Sequence, residues 1–330
     1  MEPYSNLSRR DDSEAAGLAR SYVQVLYLVL YHQWHSPRST PSSRPQMKQI
    51  AIYGKGGIGK STVASNISAA LNERGVKVMQ VGCDPKRDST RILAGGHLIP
   101  AVLEIYRDKL RQGQDAHAIS LDDIVFKTPS GIYCVEAGGP EPGIGCAGRG
   151  VLTALQILKD LKAFETYEID VAIYDVLGDV VCGGFAMPIR EGFASEIYLV
   201  CSGGFMSIYA ANNIARAVQR LARRGDAGLA GIICNSNGDE ALERAVVPAF
   251  AKRLGSTFVE FVPHSSVIQA CELEGRAVVE HAPQSDEATI FRALALKVME
   301  NDTKVIPTPV EELPELEELY RKNVLKVKVE

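Results

Sequence analysis

One short segment limits the possible folds of this chain more than any other. Residues 54–61 read Gly-Lys-Gly-Gly-Ile-Gly-Lys-Ser, which matches the pattern G-x-x-x-x-G-K-S/T. The segment lies between an apolar stretch of strand length, Lys48–Tyr53, and a helical stretch, Ser61–Glu73. Such a loop binds phosphate, because its backbone amides and the dipole of the following helix favour an anion. The sequence therefore predicts an α/β fold with a nucleotide at this loop.

Beyond this loop, apolar segments of strand length alternate with segments of helix length. Near-continuous apolar strands of this kind are typical of a mostly parallel sheet with helices on both faces. We therefore predict a single α/β domain of the P-loop NTPase type over residues 47–330, with a C-terminal tail from about residue 300. The further predicted strands are Lys77–Gly82, Gly131–Glu136, Asp170–Tyr174, Glu196–Cys201, Ala230–Cys234 and Thr257–Val262, and the further predicted helices are Gly150–Leu161, Met206–Arg223 and Glu240–Leu254.

The first 46 residues differ in composition from the rest. They are rich in Ser and Pro near their end and contain the only tryptophan, Trp34. Their apolar run, Tyr22–Tyr31, is too short to span a bilayer, which takes about 20 residues. No small-x-small cleavage site follows the run, and a second methionine, Met47, stands directly before the first predicted strand. We predict that residues 1–46 are a disordered or dispensable extension, and an over-long start of the sequence would produce one.

Charge and cysteine content limit the function classes. The chain has 36 Lys and Arg against 40 Asp and Glu, a formal net charge of −4, which does not suit non-specific binding of nucleic acid. Seven cysteines are an odd number and too few for a secreted disulfide scaffold, so we expect the reducing conditions of the cytoplasm. We expect neither nucleic acid nor a membrane as a partner.

The predicted phosphate site includes side chains outside the loop. Lys60 is expected to reach the β- and γ-phosphates, and Ser61 to bind Mg²⁺. Asp84 and Asp175 each follow an apolar strand, where a carboxylate holds Mg²⁺ directly or through water, although an Asp in such a place can also cap a helix. Asp179 follows a glycine that can turn with the γ-phosphate, which suits a switch. The predicted nucleotide-binding residues here are Gly54, Lys55, Gly56, Gly57, Ile58, Gly59, Lys60, Ser61, Thr62 and Asp175.

Two of the cysteines stand in glycine-rich segments that lead towards helices. Cys146 lies within Gly138–Gly150, and Cys182 within Val180–Phe185. Thiolates at helix N-termini have lowered pKa values and are good metal ligands. Two cysteines cannot complete a four-thiolate site, but a two-fold dimer would bring two copies of each together. The other five cysteines lie in or beside apolar strands or helices, which favours their interpretation as small buried side chains.

Several of these segments resemble the nitrogenase iron protein family, the P-loop iron-sulfur reductases that include the chlorophyll-pathway reductase iron proteins. The resemblance covers about Met47 to Glu300. It implies a homodimeric ATP-dependent reductase in which one [4Fe-4S] cluster joins the two subunits through Cys146 and Cys182. The segments that carry the resemblance are Cys83–Thr90, Gly138–Gly150, Tyr174–Pro188 and Tyr209–Asn213.

The resemblance also implies roles for single residues. The second lysine of the loop, Lys55, is similar to that of iron proteins and partition ATPases, where it reaches across a dimer interface to the partner's nucleotide. Arg149 matches a docking-surface arginine that some iron proteins carry as a target of ADP-ribosylation. The remaining implied roles are hydrolysis for Lys55, Asp84 and Asp179, a place near Mg²⁺ and the phosphates for Asp88, and a place near the adenine for Asn235 and Gln269.

Three segments depart from the usual sequence of nitrogenase iron proteins. Ser236 is followed by Asn237–Glu240 instead of an Arg-Asn and acidic stretch, Pro263 is followed by His264–Ser265 instead of Arg-Asp, and residues 95–122 are also unlike that sequence. The departures favour a nitrogenase-like system, and our first expectation for the catalytic partner is methylthio-alkane reductase. Nitrogenase itself and the nickel-sirohydrochlorin diamide reductive cyclase are the alternatives, whereas the chlorophyll-pathway reductases fit less well.

The resemblance implies two kinds of partner protein, a heteromeric nitrogenase-like catalytic component and an electron donor such as ferredoxin or flavodoxin. Outside this family, a partition-type ATPase shares the loop with Lys55 and Lys60 but would bind DNA or a membrane and would need no cluster. Its membrane form would need a basic amphipathic tail, and the tail Glu311–Tyr320 is acidic. A P-loop metallochaperone usually has a C-x-x-C pair, which this sequence lacks.

Overall fold

The structure, a computed structural model, describes residues 46–139, 147–178, 187–190, 192–223 and 226–327. The predicted dispensable extension, residues 1–46, lies outside these ranges except for Gln46. Gln46 onward forms one compact unit. None of the helices in the described ranges is long and apolar enough to cross a membrane.

The strands of the described residues form one sheet, and its order is β3-β4-β2-β5-β1-β6-β7-β8. Neighbouring strands are parallel except at one edge, where β3 and β4 are antiparallel. The mostly parallel sheet predicted from the sequence is therefore confirmed. Its strands are β1 (Lys48–Tyr53), β2 (Val78–Cys83), β3 (Phe126–Lys127), β4 (Tyr133–Glu136), β5 (Val171–Val176), β6 (Glu196–Cys201), β7 (Gly228–Asn235) and β8 (Phe258–Val262).

Helices cover both faces of the sheet, as predicted. Alternate residues of β1 point to opposite faces: Ile50 and Ile52 belong to one buried cluster, and Ala51 and Tyr53 belong to the other. The helices are α1 (Lys60–Glu73), α2 (Val102–Arg111), α3 (Leu121–Ile124), α4 (Ala147–Asp160), α5 (Ala163–Thr166), α6 (Met187–Arg190), α7 (Phe205–Ala222), α8 (Glu240–Arg253), α9 (Ser266–Leu273), α10 (Val278–His281), α11 (Asp286–Glu300) and α12 (Leu313–Val327).

The two clusters assign most helices to a face. Helices α1, α9, α10 and α11 contribute to the cluster with Ile50, and α2, α4, α7 and α8 contribute to the cluster with Ala51. The acidic tail folds as α12 and packs on the second of these layers, since Leu316 is buried there and the Tyr320 ring lies 5.3 Å from that of Phe205. Before it, Val305 forms an isolated antiparallel bridge with Leu229 of β7.

The sequence prediction was least complete between β2 and β4. The predicted strands are all present with ends within two residues of those expected, but several elements were not predicted, among them α2 and β3. Strand β3 has only two residues, both exposed, which is too short for an apolar alternation to be recognised in the sequence. In α2 only Val102 and Leu103 are buried, which is too short an apolar pattern to identify a helix.

Candidate functional site

The phosphate loop joins β1, in the middle of the sheet, to the start of α1. Gly57 and Gly59 have φ angles of 75° and 88°, a left-handed conformation that favours glycine. The carbonyl of Lys55 accepts a hydrogen bond from the Ile58 amide (3.2 Å) and another from the Lys60 ammonium (3.3 Å). Lys60 is buried by the loop, whereas Lys55 is exposed, as a lysine that reaches another subunit must be. The loop is thus closed around its central glycines.

Two hydroxyls meet at the carboxylate of Asp175, the last residue but one of β5. Ser61 at the start of α1 donates a hydrogen bond to Asp175 Oδ2 (2.6 Å), and Ser89 donates to the same oxygen (2.5 Å). Burial raises the pKa of Asp175, and the two hydrogen bonds only partly offset that effect. A hydroxyl beside a carboxylate is a donor set that suits Mg²⁺, and a divalent cation here would also stabilise the buried charge. The residues therefore fit the predicted MgATP.

The other two predicted carboxylates lie in the segment that follows β2. Asp84 is half-buried and accepts a hydrogen bond from the Lys86 amide (2.9 Å), while Asp88 is exposed. Between them Arg87 has a φ of 60° and forms an ion pair with Glu104 of α2. Strands β2 and β5 are parallel neighbours. Asp84, which follows β2, therefore lies at the same C-terminal end of the strands as Asp175.

The segment after β5 is pressed against the phosphate loop. A Cβ built on Gly178 would lie 2.5 Å from the amide nitrogen of Gly56 and would collide with the carbonyl oxygen of Gly54. Carbon atoms normally stay about 3.5 Å or more from such neighbours, so only glycine fits at this contact. The predicted switch residue Asp179 and the predicted cluster ligands Cys146 and Cys182 lie outside the described residues, and their roles stay predictions.

The cysteines that the structure describes behave as small buried side chains. None of them forms a disulfide within the described ranges, and all are buried. Burial raises the pKa of each thiol, which disfavours the thiolate that would bind a metal. In the same ranges no three His, Cys, Asp or Glu side chains are grouped to hold a metal ion. These cysteines are Cys83, Cys134, Cys201, Cys234 and Cys271.

Of the two residues predicted near the adenine, the structure brings one to the loop. Asn235 ends β7, and its side-chain amide donates a hydrogen bond to the carbonyl of Ile58 (2.8 Å). Gln269 on α9 is exposed and bonds instead to the ring of His264 (3.1 Å). The contact between α9 and the loop region comes from a residue that the sequence analysis missed, Glu272, which accepts a hydrogen bond from the predicted nucleotide-binding residue Thr62.

One departure from the iron protein sequence has a local explanation. Ser265, which stands where an Asp is usual, accepts a hydrogen bond from the Val267 amide (3.1 Å) and so caps α9. Its hydroxyl also donates to Glu287. Ser265 therefore stabilises the N-terminal end of α9. The docking-surface candidate Arg149 lies in the first turn of α4 and is exposed.

A buried polar group beside the site was also missed. Glu136 ends β4 with its side chain fully buried, and its Oε1 accepts hydrogen bonds from the amide and the hydroxyl of Thr90, both at 2.7 Å. Burial raises the pKa of Glu136 to about 8. In the sequence, the only feature that could have identified Glu136 is a carboxylic acid at the end of an otherwise apolar strand. Asp84 and Asp175 show the same feature.

Comparison with known proteins points to one family. A family profile described as 4Fe-4S iron sulfur cluster binding proteins, NifH/frxC family, matches residues 48–326. The chain is 52% identical over 277 residues to the nitrogenase iron protein of Methanospirillum hungatei, covering 83% of this chain and 95% of that protein. It is 49% identical over 267 residues to nitrogenase iron protein 2 of Paenibacillus durus, covering 81% of this chain and 88% of that one.

Solved structures agree with the fold. The septum site-determining protein MinD of Pyrococcus horikoshii, complexed with Mg-ADP, superposes with a TM-score of 0.59 at 23% identity, over 77% of this chain and 97% of MinD. A ParA family ATPase from Chlorobium tepidum gives a TM-score of 0.56 at 18% identity, over 76% of this chain and 99% of that one. At such identities the likeness establishes the fold alone, and it confirms a P-loop NTPase-like α/β fold.

Proposed function

This chain belongs to the NifH/frxC family of 4Fe-4S iron sulfur cluster binding proteins, and we propose that it delivers electrons one at a time to a nitrogenase-like catalytic partner. Members of this family are ATP-dependent oxidoreductase components with ATPase activity, and their cofactors are a [4Fe-4S] cluster and MgATP. The working unit we propose is a homodimer with one cluster between its subunits.

One observation supports this function more than any other, the contact between Gly178 and the phosphate loop. The backbone of Gly178 touches Gly54 and Gly56, and in sequence Cys182 follows Gly178 by only four positions. A nucleotide that moves the loop must therefore move the chain that leads to Cys182. Such a short link would couple the state of the nucleotide to the surroundings of the cluster.

Each residue of the site has a place in this proposal. Lys60 and the loop amides bind the phosphates, and Ser61 and Asp175 hold Mg²⁺, as their hydrogen bond and burial favour. When bound, the cluster supplies the one-electron chemistry. The remaining proposed roles are ligation of the cluster by Cys146 and Cys182, hydrolysis by Lys55, Asp84 and Asp179, a place near Mg²⁺ for Asp88, contacts on the adenine side for Asn235 and Gln269, and docking for Arg149.

The names of the relatives and the departures in sequence favour different catalytic partners. Relatives at about half identity are named nitrogenase iron proteins, which favours nitrogenase itself and nitrogen fixation. The departures after Ser236 and after Pro263 favour a nitrogenase-like system instead, with methylthio-alkane reductase as the candidate partner. For either partner we propose ferredoxin or flavodoxin as the electron donor, in the cytoplasm.

A reconstitution experiment tests the function and separates the two partners. The full chain is purified without oxygen, assayed for iron, and mixed in turn with the catalytic component of a nitrogenase and with that of a methylthio-alkane reductase. We expect reduction of dinitrogen or of a methylthio-alkane, in one mixture, only when MgATP is present. An iron-free protein, or substrate reduction that does not need MgATP, would contradict the proposal.

A further inference from the structure

The side chain of Glu136 is held from one side only. Its Oε1 accepts two hydrogen bonds from Thr90, whereas among the described residues Oε2 has no hydrogen-bond partner. Glu136 and Thr90 are both buried, and the unbonded oxygen lies against Gly82, where a Cβ would collide with it. The position of this carboxyl group therefore depends on Thr90.

Thr90 in turn is tied to the proposed Mg²⁺ site. Its neighbour Ser89 donates a hydrogen bond to Asp175 (2.5 Å), and Asp175 also accepts one from Ser61 (2.6 Å). The carbonyl of Ser89 accepts further hydrogen bonds from the side chains of Gln80 (3.0 Å) and Ser65 (3.3 Å). In a buried network of this kind each hydrogen bond positions the next group along it, because breaking a bond leaves an unpaired polar group.

The segment that follows Glu136 makes a second contact with the same region. Gly139 packs on Pro85, since a Cβ at Gly139 would lie 2.5 Å from the Cβ of Pro85. Its carbonyl accepts a hydrogen bond from Arg107 of α2 (2.7 Å). Residues 136–139 thus meet residues 84–90 at two points, and in sequence residues 136–139 lead to Cys146.

We propose that Glu136 is a positioning residue that transmits the state of the Mg²⁺–phosphate site to the segment leading to Cys146. The path runs from Ser61 through Asp175, Ser89 and Thr90 to Glu136, and it is separate from the route through Gly178 and Asp179. This inference rests on the proposed function, because it takes Cys146 as a ligand of the cluster. Nucleotide binding would then act on both cysteine-bearing segments of each subunit.

The chemistry of Glu136 suits this role. With a pKa raised to about 8 by burial, the side chain is mostly a neutral acid at pH 7 and avoids the cost of an unpaired buried charge. A neutral carboxyl group still accepts both hydrogen bonds from Thr90 through Oε1. Glu136 can therefore keep its hold on Thr90 without a counter-ion.

The test uses the iron-loaded dimer and amide hydrogen exchange with and without MgADP. The measured quantity is the MgADP-dependent change in exchange at residues 136–139 and 147–150, together with iron content, MgADP affinity and melting temperature. Thr90→Val removes the hydroxyl hydrogen bond to Glu136 and keeps the amide one, Glu136→Leu removes both, and Glu136→Gln keeps the accepting oxygen. Ser68→Ala is the control, because Ser68 belongs to the same buried network through Gln80 (2.8 Å) but lies off the path.

We expect wild type, Glu136→Gln and Ser68→Ala to show the MgADP-dependent change. Thr90→Val should reduce it about two- to tenfold, the factor that one hydrogen bond is worth, and Glu136→Leu should reduce it by at least as much, while MgADP affinity and iron content are kept. The use of two path variants allows the test even if one of them fails to fold.

Several results would overturn the inference. A wild-type response in both path variants would do so, as would an equal loss in Ser68→Ala, which would indicate general loosening. A wild-type dimer that binds iron and MgADP but shows no change at these residues would also overturn it. A wild-type protein that binds neither iron nor MgADP would instead contradict the proposed function itself.

Discussion

At the scale of single residues, Asp175 is the side chain on which the proposed Mg²⁺ site depends. Its buried carboxylate receives the hydroxyls of Ser61 and Ser89, so it joins the start of α1 to the segment after β2. Besides these hydrogen bonds, the charge of Lys60 favours the ionised form of Asp175, but together they only partly offset the effect of burial. Its negative charge should therefore contribute more to Mg²⁺ binding than to the fold.

Asp175→Asn is expected to weaken the Mg²⁺-dependent part of nucleotide affinity by about tenfold or more, because the amide keeps an oxygen but loses the charge. The measurement is a Mg²⁺ titration of the protein with a fluorescent ADP analogue. Asp170→Asn is the matched control, since Asp170 is exposed and directly precedes β5 at its opposite end. Equal losses in the two variants would refute the assignment of Mg²⁺ to Asp175.

Glu136 should make stability depend on pH in an unusual direction. Its pKa is raised from 4.5 to about 8, so between these values the folded protein keeps a proton that the unfolded chain releases. The free energy of unfolding therefore falls as pH rises, by up to about 1.4 kcal/mol per pH unit from this group. Urea unfolding across this range should show a flatter pH dependence in Glu136→Gln than in wild type, and equal slopes would contradict the raised pKa.

At the scale of elements, the contact between Gly178 and the phosphate loop joins two chain segments through backbone alone. The atoms that a Cβ would meet belong to the backbone of Gly54, Lys55 and Gly56, so no flexible side chain can move aside. Any larger residue at this position must displace either the loop or the segment after β5. The phosphate loop and the segment after β5 therefore fit together only because Gly178 has no side chain.

Gly178→Ala is expected to lower the rate of ATP hydrolysis about 100-fold, a usual cost of displacing a reacting group by about 1 Å. Its melting temperature should stay close to that of Gly204→Ala, the control, where the nearest atom to a new Cβ is Ser202 Oγ at 4.0 Å. Steady-state phosphate release measures the rate. Wild-type hydrolysis in Gly178→Ala would show that the contact does not matter.

Strands could be predicted from the sequence, whereas hydrogen bonds between elements that are distant in sequence could not. Strands such as β5 and β6 were found because burial on both faces makes them nearly continuous apolar runs. The bond from Thr90 to Glu136 joins positions 46 apart, and that from Thr62 to Glu272 joins positions 210 apart. Neither leaves a local pattern, so the phosphate loop was predictable and the polar network around it was not.

At the scale of the whole molecule, the proposed cluster needs two copies of the chain. The described cysteines are buried with raised pKa values, whereas Cys146 and Cys182 carry the family resemblance. A dimer would supply the four thiolates of one cluster from two copies of each. Dimer formation and cluster binding are therefore expected to depend on each other, so that a variant keeps both or loses both.

Cys146→Ser is expected to abolish the iron content, about four atoms per wild-type dimer, because one ligand change removes two of four thiolates. Iron analysis and visible absorbance of the anaerobic protein measure it. Cys201→Ser is the control and should keep the iron, since Cys201 is fully buried in β6. Retention of the cluster in Cys146→Ser would refute the assignment.

The order of strands in the sheet has a consequence for how the protein is made. Strand β1 lies between β5 and β6, and Lys48 pairs with Val171, which is 123 positions later in the chain. A ribosome adding about 5–20 residues per second needs on the order of 10 s to reach that partner. Until then the phosphate loop has no neighbouring strand to hold its shape. Nucleotide binding, and with it any loading of the cofactor, must follow synthesis of more than half of the chain.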